Sequence, residues 1–155
     1  MDATHLTSKH CRDFLKSVKE ICHRLVMTPD IANEWNRHQS KYSRTWRVFM
    51  VAHNKVKTLN LSLNDNLRSE IQNIVSSQKS LKAMLKDCPL IEAALETDQT
   101  VVSLDETARS LFATASARFY DLRNIVWVNP SKLDEKPILW LRNGARSEKI
   151  RRLGY

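Results

Sequence analysis

Glycine is nearly absent from this chain: two residues in 155, alongside four prolines. That scarcity excludes collagen-like, linker-like and low-complexity chains, which need one or both in quantity. No apolar run approaches the roughly 18 residues that would span a bilayer. The opening MDATHLTSKHC lacks the apolar stretch of a signal peptide. Cysteine is limited to Cys11, Cys22 and Cys88, odd in number and far apart. That pattern excludes a disulfide framework and points to free or buried thiols in a reducing, cytoplasmic compartment. No CxxC or HxxxH spacing occurs, and the five histidines are scattered, which argues against a zinc site.

Negative charge is the other shortage. There are 17 Asp and Glu against 25 Lys and Arg, a formal charge of +8. Residues 35–64 contain no Asp or Glu, yet carry Arg37, Lys41, Arg44, Arg47, Lys55 and Lys57. An excess of this kind points to an acidic partner, most simply nucleic acid. The bland alternative is the solvated surface of an ordinary basic protein.

What is present is a pattern of alternating elements. Phe14, Leu15, Val18, Ile21 and Cys22 recur at helical spacing within residues 7–22. RLVMT (residues 24–28) reads as a buried strand, and Pro29 then opens a helix with Asp30 in its first turn. Trp46, Phe49, Met50, His53 and Val56 give a helix with an apolar and a basic face. Residues 65–86 read as one amphipathic helix, and Asp87 with Pro89 as the start of the next. TVVSL (residues 100–104) reads as a parallel strand buried on both faces. Residues 106–118 read as a helix, and IVWV (residues 125–128) as a last strand. The basic residues of 142–155 suggest a loose arm or a helix. These alternations predict an α/β fold with a small parallel sheet and high helical content. They predict one domain over residues 1–141 and a basic tail over 142–155.

Lengths then bring carboxylates together. A helix from Asp87 to about Glu96 descends on the order of 15 Å. A strand over residues 100–104 climbs back roughly 16 Å. Asp87 and Asp105 are therefore expected at the carboxyl end of the strand, where open α/β sheets bind ligands. Glu34, one turn into the helix after RLVMT, is expected near the same edge and shares a face with Asp30. Such a cluster suits Mg2+ or Mn2+, hard cations that favour carboxylate oxygens and can activate water against a phosphodiester. Each carboxylate also has a plain alternative: Asp87 and Asp105 as helix caps, Glu34 as a surface residue.

"DCPLIEAAL" followed by "TVVSLDETARSLF" resembles the third and fourth acidic motifs of PIN-domain proteins. "LVMTPDIANEW" resembles the second motif, and "IVWVNP" is similar to the last strand. The resemblance covers roughly residues 10–130. It implies a three-layer α/β/α sandwich around a parallel sheet. It also implies an Mg2+- or Mn2+-dependent endoribonuclease acting on RNA, of the kind found as VapC-like toxins paired with an antitoxin protein. Metal-site roles fall by this resemblance on Glu34, Asp87 and Asp105, and Ser103 matches a position where the family often has Thr or Ser. The family opens with a central strand ending in Asp; here Asp2 resembles that residue with its strand missing or replaced. A PIN-like module that binds RNA or protein without cutting is the alternative expectation, and a homodimer stays open.

Overall fold

The computed structural model describes residues 3–62 and 64–155, and side chains from residue 5 onward. Helices and strands alternate. The order is α1 (Ala3–Ile21), β1 (Leu25–Met27), α2 (Pro29–His38), α3 (Lys41–Ala52), β2 (Val56–Thr58) and α4 (Asp65–Ile74). It continues with α5 (Gln78–Leu95), β3 (Thr100–Val102), α6 (Glu106–Ala115), β4 (Val126–Val128) and α7 (Pro137–Arg142). The chain is thus a helix-rich α/β protein with parallel strand pairing. No helix among the described residues is long and apolar enough to cross a membrane.

β1 pairs in parallel with β2, and β3 in parallel with β4. These form two separate two-stranded sheets among the described residues, where the sequence predicts one. The ladder bonds fix which residues of each strand face its partner. Leu25 donates to Lys55 and Leu59 donates to Met27, so Leu25 and Met27 face β2. A parallel strand alternates its bonding direction, so the peptide groups of Val26 point the other way. The bonds Val126 to Gln99 and Ser103 to Val128 likewise turn Val102 away from β4.

Two compact units emerge, neither of them continuous in sequence: Met1–Asn60 with Asn129–Arg146, and Leu61–Val128 with Ser147–Tyr155. In the first, α1 packs against α3 and α7. Phe14, Met27, Trp46, Met50, Trp140 and Leu141 are among its buried apolar side chains. The Trp46 indole donates to the Leu15 carbonyl at 2.6 Å and its ring stacks on Trp35. In the second unit, α5 packs against α4, α6 and β3 around Leu67, Ile71, Met84, Cys88, Ile91, Phe112 and Trp127. Residues 147–155 belong to this unit. Arg152 makes an antiparallel bridge to Val126, Leu153 donates to Ile125, and the Leu153 side chain is buried.

Several boundaries depart from the sequence reading. The helix expected over residues 65–86 is broken at residues 75–77, where the Ser77 hydroxyl caps α5 by accepting from Ser80. No element begins at Asp87: α5 runs through it, with Pro89 in its interior. Pro89 removes one helical hydrogen bond. The buried row Met84, Cys88, Ile91 holds the helix together across that gap. Val56 lies on β2 rather than on a helical face, because Asn54 at φ 54° turns the chain after α3. β3 is buried on one face only, since Val101 is enclosed while Val102 is 42% exposed.

Candidate functional site

Glu34 sits on α2, whose start follows from Thr28 accepting the Ile31 N–H and from Pro29 in the first turn. Its carboxylate faces two side chains of its own helix, Arg37 with Nη1 at 3.5 Å and His38 with Nε2 at 3.9 Å. It belongs to the first unit, while Asp87 and Asp105 belong to the second.

Asp105 is the N-cap of α6: its Oδ1 accepts the Ala108 N–H at 2.8 Å. A carboxylate is well placed there, because the first helical turn leaves N–H groups without partners and carries the positive end of the dipole. The Asp105 N–H in turn donates to Ser103 Oγ at 3.1 Å, closing the turn from β3 into α6. The cap role left open for Asp105 is therefore what it does in this fold. Asp87 is no cap. It lies half-buried in the middle of α5, a correction to the expected helix start. Asp2 lies outside the described residues.

The structure brings Asp87 and Asp105 into one unit, on α5 and at the head of α6, two helices that pack on each other. It assembles no group of three or more His, Cys, Asp or Glu able to hold a cation among the described residues. Glu34, Asp87 and Asp105 thus do not by themselves form a cage for Mg2+ or Mn2+, and no step through a metal is derived from them.

Sequence reasoning missed the most deeply buried carboxylate among the described residues. Glu92, 6% exposed, receives Arg68 Nε at 2.7 Å and Arg68 Nη2 at 3.3 Å, and also the Asn64 N–H at 3.3 Å. A two-toothed guanidinium plus a backbone donor is what an enclosed carboxylate requires. The set ties the start of α4 to α5 and is structural in character. Its signal was a lone Glu inside the apolar run LIEAAL. Next to it the Cys88 thiol is pushed up to about 12, first by burial, with Glu92 and Asp87 adding to the rise and Arg68 opposing it.

Charge is also divided in a way the linear sequence hides. The first unit holds 15 of the Lys and Arg and seven of the Asp and Glu, so it carries the whole net charge of +8. The second holds ten of each and is neutral. Within the first unit, Lys41, Arg44 and Lys57 are exposed. Comparisons with protein-family models, with curated proteins and with solved structures find no match to the chain.

Proposed function

We propose that the protein is a PIN-like module that binds RNA through its cationic unit. The observation that carries this reading is the charge division: one unit bears all of the +8, the other none. A field of one sign concentrated on one body attracts a polyanion and releases its counterions. The PIN-like sandwich draws support from the sheets. β1 pairs with β2 and β3 with β4, both in parallel and among many helices, as a PIN-like module requires. On this reading Asp105 serves the fold as a cap and Glu34 pairs with Arg37 on its own helix.

A second reading, an Mg2+- or Mn2+-dependent endoribonuclease with an antitoxin protein as partner, is favoured by one feature. Asp87 and Asp105 share a unit and stand on packed helices, with Ser103 in the turn from β3 into α6. Incubating the protein with labelled RNA and Mn2+ separates the two. The binding reading expects intact RNA retained by wild type, Asp87→Asn and Asp105→Asn alike. Asn caps a helix as well as Asp does, so the last variant keeps α6 in place. Mn2+-dependent cleavage by wild type that disappears in Asp87→Asn would replace the first reading with the second.

A further inference from the structure

The neutral unit carries a surface of different chemistry. Tyr120 and Tyr155 are 66% and 74% exposed, while the remaining tyrosine, Tyr42, is 38% exposed. Each of the two has a cation beside its ring. The Arg123 guanidinium carbon lies 4.0 Å from the Tyr120 ring centre, and Lys149 Nζ lies 5.7 Å from that of Tyr155. Neither ring hangs on a loose backbone. Arg123 is pinned by donating from Nε to the Ser116 carbonyl and from Nη2 to the Ala117 carbonyl, at 2.9 and 3.2 Å. The segment bearing Tyr155 is fixed by Leu153 donating to Ile125, Gly154 to Arg123 and Tyr155 to Arg152.

Gly154 joins the two halves. A Cβ at this position would stand 2.7 Å from the Cβ of Arg123, so the backbone before Tyr155 lies directly against Arg123. The segments that carry Tyr120 and Tyr155 thus meet at Arg123 and Gly154. Arg118 is exposed on the turn that follows α6, and Arg152 donates to Ser147. The carboxylates in these segments are Asp121, which is exposed, and Glu148, which is paired with Arg151 at 2.7 Å. The local balance is cationic although the unit as a whole is neutral.

We propose that Tyr120 and Tyr155, with Arg123 and Lys149, form a platform on which unpaired bases of single-stranded RNA stack. This rests on the RNA-binding reading above and adds what that reading lacks, a preference for single strands. Exposed rings flanked by cations offer a π face to a base and a charge to its phosphate, and every base can use them. A duplex has no such use for the rings, because its base faces are already stacked.

The test uses the full chain and two fluorescein-labelled probes, an oligoadenylate and a duplex RNA, read by anisotropy. Removing the rings in a Tyr120→Ala, Tyr155→Ala double variant should weaken oligoadenylate binding about tenfold or more for each ring lost. The Tyr120→Phe, Tyr155→Phe variant should bind as wild type does, since stacking needs the ring and not the hydroxyl. Duplex affinity should be the same in all three proteins. The platform is overturned if the double Ala variant holds oligoadenylate as tightly as wild type, or loses both RNAs equally. A wild-type protein that binds neither probe overturns the RNA reading and the platform with it.

Discussion

Cys22 and Cys88 occupy opposite environments. Cys22 is exposed at the end of α1, with Lys55 Nζ 3.6 Å from its sulfur, whereas Cys88 is fully enclosed in the second unit's core. Burial raises the Cys88 thiol from 9.0 to about 12. The folded chain therefore keeps a proton that the unfolded chain releases above its ordinary value. The associated stability is whole below about pH 9 and declines as pH rises toward 12. Denaturant unfolding across that window should show the decline, and Cys88→Ala should flatten it. A thiol reagent at mildly alkaline pH should label Cys22 in the native protein and reach Cys88 only after unfolding. Prompt native labelling that persists in Cys22→Ser, Cys11→Ser would refute the assignment. The sequence left Cys88 open between a free and a buried thiol; the pairing of its neighbours Glu92 and Arg68 was not legible at all, because they stand on different helices.

Among the elements, α5 shows how packing overrides local signals. Asp87 followed by Pro89 carries the marks of a helix start, since Pro is well tolerated only in the first turn. Yet the helix begins at Gln78 and passes through both, because Met84, Cys88, Ile91 and Ala94 make one buried stripe that a break would split. The proline is retained at a cost. Pro89→Ala restores a backbone N–H and removes the ring, and should stabilise the fold by about 1–3 kcal/mol in urea unfolding. A neutral or destabilising result would show that the ring supplies packing that outweighs the bond. Other elements were readable from their residues: RLVMT, TVVSL and IVWV all contain strands, and Thr28–Pro29 opens α2. β2 was not, since Val56 fits a helical repeat equally well and only pairing with β1 makes Val56–Thr58 a strand.

For the whole molecule, the division of charge is the feature with the clearest consequence. RNA affinity should fall steeply with salt, and log affinity plotted against log salt should be linear. Arg44→Ala and Lys57→Ala, both in the cationic unit, should each reduce the slope by about 1. Lys79→Ala and Lys82→Ala, on α5 of the neutral unit, should leave it nearly unchanged; an equal effect from both pairs would contradict the division. The +8 and the acid-free stretch of residues 35–64 are properties of the sequence alone. So are the alternation of helices with strands and the absence of glycine-rich linkers, because each depends on residues near one another along the chain. Which strands pair, that Asp105 caps α6, that Glu92 finds Arg68, and that the backbone at Gly154 closes on Arg123 were decided only by the fold. Those outcomes depend on partners many residues distant, and local spacing carries no record of which distant partner a buried group or an open edge will find.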